Sequence, residues 1–259
     1  MQERKYTKIA CIADDNQKSF QALSDMQAKY CFVSLEEKPD IIIVLGGDGF
    51  MLHSLHHLMH LNIPLYGMNV GHIGFLMNIF STDNLLSRIE KANITSINPL
   101  HMLARCNDNT EHIRLAINEI YLLRDTNQAA RINIYINDIL QINEMVCDGI
   151  IVSTAAGSTA YNLSAGGPVI PLEADLLALT PLNPFRPRRW KGALLPSSAC
   201  IKFEILESEK RSTNAVADFY EVKHVISVDI KKSDDQKINL LFDEGHSLEE
   251  RIIREQFSF

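Results

Sequence analysis

The chain of 259 residues lacks any pairing pattern for its five cysteines. Cys11, Cys31, Cys106, Cys147 and Cys200 are odd in number, scattered, and nowhere spaced Cys-x-x-Cys. That argues against a disulfide framework and against a thiolate zinc site, and a reducing cytoplasm is the simplest compartment. A long apolar run is missing too. No stretch approaches the roughly 20 apolar residues that a membrane helix needs. The opening "MQERKYTKIACIADD" lacks the apolar segment of a secretory leader. A soluble, cytoplasmic protein with no membrane partner is therefore expected. There is no basic excess either: 25 Lys and Arg stand against 32 Asp and Glu, a formal charge of -7. Such a chain sets up no global field for nucleic acid, so no nucleic-acid partner is expected. Repeats, low-complexity tracts and flexible linkers are also missing.

Hydrophobic residues make up 46% of the chain, enough for one large core or two modest ones. The first ninety or so residues alternate strand and helix. "KIACIA" (8–13) reads as a strand. "DDNQKSFQALSDMQAKY" follows with Phe20, Leu23 and Met26 at helical spacing. "DIIIVLG" is a continuous apolar run, as in a strand covered on both faces. "FMLHSLHHLMHLN" reads as a helix and "IPLYGMNVG" as another strand. "STDNLLSRIEKAN" opens on Ser and Asp, good capping types, and carries Leu85, Leu86 and Ile89. Strands alternating with helices predict a parallel sheet, hence an α/β, Rossmann-like first domain.

Near "TSINPLHML" (95–103) the pattern changes. "LHMLARC", "EHIRLAINEIYLLR", "RINIYIN", "ILQINEMV" and "GIIVST" are short and rich in Ile, Val and Leu. "NDNT" (107–110) and Asn137-Asp138 are candidate hairpin turns. "ACIKFEIL", "NAVADF" and "VKHVISVDI" continue the series. A mostly antiparallel β domain is predicted. "SLEERIIREQF" ends as a helix, with Ser247 and Glu250 at capping-box spacing. That helix is expected to pack back on the first domain. The expected division is 1–97, 98–238 and a returning segment 239–259.

Two stretches carry chemistry. The run Ile41 to Leu45 ends in Gly46-Gly47-Asp48-Gly49 and enters a helix. Backbone N–H groups at a helix start bind anions, phosphate above all, and glycines let it approach without a Cβ clash. Asp48 repels phosphate, so its role must be different, either taking a proton from a hydroxyl or facing a divalent metal. A tight turn with a capping Asp is the plainer reading. The second stretch is "CDGIIVSTAAGSTAYNLSAGGPV" (147–169), crowded with small and hydroxyl residues. Gly157, Ser158 and Thr159 are placed to start a helix that holds phosphate or ribose, with Tyr161 offering a ring to a base. A small-residue helix packed on a sheet is the plainer reading here.

Together the stretches resemble the NAD kinase family. Gly46 to Gly49 match its Gly-Gly-Asp-Gly motif, Asn118-Glu119 its Asn-Glu pair, and Asp148 to Pro168 its "DG-apolar-STPTGSTAY-SLSAGGP" segment. "YGMNVGHIGFL" (66–76) fits a further family segment. The matches keep their order from residue 41 to about 220. The resemblance implies transfer of the terminal phosphoryl of ATP, or of polyphosphate, to the 2′-hydroxyl of the adenosine ribose of NAD. It implies Asp48 as general base, close approach of NAD to Gly49, and ribose contacts at Asn118 and Glu119. Asp148 and the segment Thr159, Ala160, Tyr161, Asn162, Leu163 and Ser164 would hold the dinucleotide. Phe75 is placed near adenine, and Asn183 at a further NAD contact. Mg²⁺ or Mn²⁺ is expected on the ATP phosphates with few or no dedicated protein ligands. A homodimer or homotetramer is implied as well.

Some positions depart from the family pattern. Phe50 replaces a common Thr. Ala155-Ala156 replace Pro-Thr, so a contact at Ala156 comes from its backbone. Val146 stands where relatives often carry Arg, Cys147 replaces Gly, and Phe219 sits at a variable position. Cys147 itself reads as a packed strand residue. His53, His56, His57 and His60 form a helical stripe without a neighbouring acid, better read as a polar face than as a metal site. "FRPRRWKG" (185–192) mixes Arg with aromatics, which suits a subunit interface or the phosphate donor. A lipid kinase that shares Gly-Gly-Asp-Gly, and a non-catalytic NAD(P)-binding regulator, are the alternatives. The "STAAGSTAY" stretch speaks against the first and Asp48 against the second.

Overall fold

Residues 6–71 and 74–257 are described by the computed structural model. His72 and Ile73 of the matched segment "YGMNVGHIGFL" lie outside them. In chain order the first elements are β1 (Ile9–Ala13), α1 (Gln17–Gln27), β2 (Ile41–Gly46), α2 (Asp48–Leu58), β3 (Leu65–Asn69), β4 (Asn78–Ile79), α3 (Leu85–Lys91) and β5 (Asn93–Ile97). The expected alternation of strand and helix is present. All six residues of β2 are buried, which is why that run shows no polar alternation.

The helix expected from Phe20, Leu23 and Met26 is present, though not all its apolar residues face inward, and one capping expectation fails for a physical reason. Phe20 is 53% exposed, because the inward face of α1 is Ser19, Ala22 and Met26, one position away. One residue is about 100° around a helix, so a one-place slip turns a side chain outward. Ser81 and Asp83 do not cap α3. Its N-cap is Asn84, in the left-handed region with no side-chain bond. The Ser81 hydroxyl accepts from Asp83 N (3.1 Å), and the Asp83 carboxylate is drawn to Lys29 (2.8 Å).

The next elements are β6 (Leu100–Cys106), β7 (Glu111–Ala116), β8 (Glu119–Arg124), β9 (Ala130–Ile136), β10 (Ile139–Cys147), β11 (Gly149–Ser153), α4 (Tyr161–Ser164) and β12 (Leu176–Leu182). After them come β13 (Ala193–Pro196), β14 (Ile201–Ile205), β15 (Thr213–Ala217), β16 (Tyr220–Val222) and β17 (Val225–Lys232). They build two antiparallel sheets of six strands, β10-β9-β14-β17-β6-β7 and β13-β12-β11-β8-β15-β16. One core joins them, with Met102, Ile134 and Phe203 from the first sheet and Leu122, Ile150 and Leu179 from the second. "EHIRLAINEIYLLR" is not one strand. It breaks at Ile117-Asn118, where the chain leaves one sheet and enters the middle of the other.

The last elements, β18 (Ile238–Phe242) and α5 (Leu248–Glu255), return to the first unit. That unit comprises Met1–Ile97 with Gln236–Phe259, and Asn98–Asp235 form the second. Its sheet order is β1-β2-β3-β18-β5, the first four strands parallel and β5 antiparallel. Ser247 caps α5 by accepting from Glu250 N (3.2 Å). No helix among the described residues is long and apolar enough to cross a membrane.

Asn137 and Asp138 do form the β9–β10 turn, with φ of 50° and 63°, both positive as a type I′ hairpin requires. Asp138→Val should lower unfolding stability by about 1–2 kcal/mol, the usual penalty for a bulky left-handed residue. Asp138→Gly should match or exceed the wild type. Denaturant melts of the three proteins check this.

Candidate active site

The glycines of Gly46 to Gly49 serve different ends. A Cβ on Gly46 would lie 2.8 Å from the Phe50 ring, whereas one on Gly47 or Gly49 would meet nothing within 4 Å. None of the three has a positive φ. The fold therefore does not demand glycine at 47 and 49, and their small size leaves open space beside the first turn of α2.

Asp48 opens that helix without capping it. Its carboxylate reaches instead to a neighbouring loop. Phe75 N donates to Oδ2 (2.6 Å) and Leu76 N to Oδ1 (3.0 Å). The approach is so close that a Cβ on Gly74 would lie 2.2 Å from Oδ1. Arg251 of α5, unforeseen from sequence, donates through Nη1 to the carbonyls of Gly74 (2.5 Å) and Met77 (2.5 Å). Phe75 is thus brought beside Asp48, half-buried.

In the second unit the Ile117-Asn118 break is held by Asp218, also unforeseen. Its carboxylate accepts from the amides of Ile117 (2.7 Å), Asn118 (2.9 Å) and Glu119 (3.2 Å). Each such amide left buried and unpaired would cost about 1–3 kcal/mol. The Thr154 hydroxyl donates to Ile117 O (2.8 Å) and accepts from Gly157 N (2.9 Å). Gly157 lies so near that a Cβ would sit 2.2 Å from Asn118 O. The Asn-Glu pair and the "STAAGST" turn are therefore locked together.

Glu119 is only 6% exposed and its Oε2 has no hydrogen-bond partner. Burial, then the nearby Asp218 charge, push its pKa up to about 8, while a bond from the Tyr161 amide pulls the other way. The Tyr161 ring meets Tyr121 edge to face at 5.1 Å, and Tyr161 is 36% exposed.

The predicted helix after Gly157 is a 3₁₀ turn, Ala156–Thr159, followed by the single turn α4. It is too short to act as a helix terminus for an anion. The Ser158 hydroxyl is spent internally, donating to Ala155 O (2.7 Å) and accepting from Ile170 N (3.0 Å). Asn162 is fully buried, donating to Ser158 O and Pro168 O and accepting from Thr180. Ala156 is buried, Thr159, Ala160 and Leu163 are half-buried, and Ser164 is exposed.

Asp148 and Asn183, far apart in sequence, meet at 2.9 Å, and Arg124 Nε donates to the same carboxylate at 2.6 Å. The Asn183 amide and the Arg124 guanidinium hold the Asp148 carboxyl below its usual range. Arg124 is a third residue the sequence did not single out. Cys147 is a buried strand residue whose thiol burial raises to about 12.

His53, His57 and His60 are exposed, with His57 Nδ1 donating to His53 O at 2.8 Å. In "FRPRRWKG", Arg186 bridges to Val146 by backbone bonds, and Arg188 lies over the Phe185 ring at 5.0 Å. Pro187 and Trp190 line an apolar cavity of about 620 Å³ with Ile134, Ile142 and Leu179.

The first unit thus carries an acid beside an open glycine turn and the second a buried polar corner with an aromatic wall, and comparison with known proteins gives the class, a phosphotransferase acting on an alcohol group. Residues 2–94 match the model of the ATP-NAD kinase N-terminal domain, and residues 117–242 that of the C-terminal domain. The chain belongs to the NAD kinase family. It is 50% identical over 250 residues to the NAD kinases of Rickettsia bellii and Rickettsia canadensis, covering 96% of this chain and 98% of each relative. Among solved structures it resembles a yeast NADH kinase complexed with NADH, with a TM-score of 0.80, 18% identity and coverage of 99% and 89%. It also resembles an Archaeoglobus fulgidus NAD kinase in complex with ATP, with a TM-score of 0.73, 24% identity and coverage of 97% and 98%. Both likenesses speak to the fold alone. The matches favour neither the lipid-kinase nor the regulator alternative.

The raised Glu119 pKa has a consequence for stability. The folded state favours the neutral acid, so Glu119 costs stability as pH rises from 4.5 through about 8. Glu119→Gln should therefore melt progressively higher relative to wild type as pH rises over that window. Paired thermal melts at both ends of the window check it, and a difference independent of pH would contradict it.

Proposed function

We propose that the site phosphorylates the 2′-hydroxyl of the adenosine ribose of NAD, with ATP as donor and Asp48 as general base. The observation that carries this reading is the Asp48 carboxylate, fixed by two amides beside the open space at Gly47 and Gly49. Each carboxylate oxygen keeps a second lone pair for an incoming hydroxyl. A ribose hydroxyl is a poor nucleophile, and a positioned base removes its proton as attack proceeds. The remaining work is alignment and charge neutralisation around the transferred group. Gly46 and Gly47 lead the backbone to the phosphates, and Gly49 lets NAD approach.

The polar corner supports the assignment of the dinucleotide contacts. Asn118 and Glu119 are rigidly placed, and the orphaned Glu119 Oε2 suits a ligand hydroxyl. Asp148 with Asn183 suits a further polar group, and Tyr161 suits a base ring. The backbone of Ala156, Thr159, Ala160, Leu163 and Ser164 supplies the rest. Asn162 contributes by shaping that turn. Phe75 is assigned beside adenine.

No three His, Cys, Asp or Glu side chains gather into a cation cage among the described residues. A Mg²⁺ or Mn²⁺ carried by the triphosphate needs no cage, since such ions keep waters and bind phosphate oxygens with one or two carboxylates. When bound it neutralises phosphate charge. The exposed Ile139 and Leu140 on edge strand β10 and Leu194 on edge strand β13 support a homodimer or homotetramer. The cysteine pattern supports a cytoplasmic setting.

The purified protein with ATP, Mg²⁺ and NAD should form NADP, read by an NADP-specific dehydrogenase. NADH and polyphosphate in parallel reactions define acceptor and donor. Asp48→Asn should lower turnover about 10²–10⁴-fold, the usual share of a general base. Turnover near wild type in that variant would refute the role. Chelation by EDTA should abolish activity, and Mg²⁺ or Mn²⁺ should restore it.

A further inference from the structure

Loop 74–77 is gripped from two sides within the first unit. Its amides donate to Asp48. Its carbonyls accept from one nitrogen of Arg251, at 2.5 Å for Gly74, 3.3 Å for Phe75 and 2.5 Å for Met77. The two grips have opposite polarity. Pulling the carbonyls toward a cation polarises the intervening peptides, which strengthens the amides as donors to the carboxylate. Arg251 and Asp48 also attract each other directly.

Arg251 is an unusual residue at its position. Leu248 and Ile252 on the same helix are fully buried and anchor it. The Arg251 guanidinium lies over the Phe242 ring at 5.5 Å, and partial burial costs it hydration. Among the described residues its hydrogen bonds go to the three loop carbonyls and to no carboxylate. An aliphatic side chain would cover Phe242 more cheaply. What the guanidinium adds is the geometry of the loop.

We propose that Arg251 is a positioning residue for phosphoryl transfer: it fixes loop 74–77, and through that loop the orientation of the Asp48 carboxylate. The proposal rests on the general-base reading of Asp48. It gives the C-terminal helix a part in catalysis without any contact to the reacting atoms. A displaced base costs the transition state and not substrate binding, so the loss falls on kcat. A misplacement of about 1 Å is enough for a hundred-fold effect.

The test compares wild type, Arg251→Gln, Arg251→Lys and Asp48→Asn by steady-state kinetics and thermal melting. Arg251→Gln should lose about ten- to a hundred-fold in kcat with the KM values for NAD and ATP changed by less than about threefold. Arg251→Lys keeps a cation with several N–H donors and should recover most of kcat. Arg251→Gln with a lower melting temperature but kcat within about twofold of wild type would overturn the proposal. So would a loss in Arg251→Gln that Arg251→Lys does not restore at all. Should Arg251→Gln not fold, Arg251→Met, which keeps an apolar cover over Phe242, takes its place: a kcat loss with unchanged KM values supports the proposal, and kcat within about twofold of wild type overturns it. Turnover retained in Asp48→Asn refutes the base itself. Turnover retained in Arg251→Gln, with Asp48→Asn inactive, refutes only the part given to Arg251.

Discussion

Before any substrate arrives, each oxygen of the Asp48 carboxylate already holds one backbone amide. Much of the first unit follows from that pair of bonds. The buried strand β2 delivers the chain to Gly46 without a polar step, and Asp48 opens α2 as its first residue. The partner loop must come within hydrogen-bond distance, which leaves no room for a side chain at Gly74. Charge-assisted bonds of this kind are about twice as strong as neutral ones, and they hold a rotamer that solvent would otherwise average. The open space at Gly47 and Gly49 then has a fixed acid beside it.

The second unit solves a different problem. A strand must end in one sheet and another must begin in the other, and the corner between them leaves three amides in need of acceptors. Asp218 takes all three, and Thr154 takes part of the carbonyl side. That solution places one carboxylate near another, the buried Glu119. Burial and like charge both favour the protonated form of Glu119. The cost is borne by a residue whose buried Oε2 is left without a hydrogen-bond partner.

Local chemistry was legible in the sequence and distant pairing was not. The alternation of strand and helix, the buried run of β2 and the Asn137-Asp138 turn all follow from patterns within a few residues. The candidate-site segments stand out in the sequence because their residue types match a family's motifs in order. The spacing of Phe20, Leu23 and Met26 marks α1, whose inward face is Ser19, Ala22 and Met26. Ser81 and Asp83 look like caps until Lys29 claims the carboxylate. The break at Ile117-Asn118 has no Gly or Pro and only Asn118 as a weak local signal, since its stability comes from Asp218, about a hundred positions on. Arg124 and Arg251 escaped notice for the same reason. A lone Arg on the inner face of α5, beside Leu248 and Ile252, was the one local hint of a buried role.

Phosphoryl transfer by this route depends on which atom of the acceptor the Asp48 carboxylate faces. The most direct measurement is a crystal structure of the Asp48→Asn protein with NAD and a non-hydrolysable ATP analogue. The adenosine 2′-hydroxyl oxygen should lie within about 2.6–3.2 Å of the side chain at position 48. A different hydroxyl at that distance, or a dinucleotide bound with no hydroxyl near it, would contradict the general-base role.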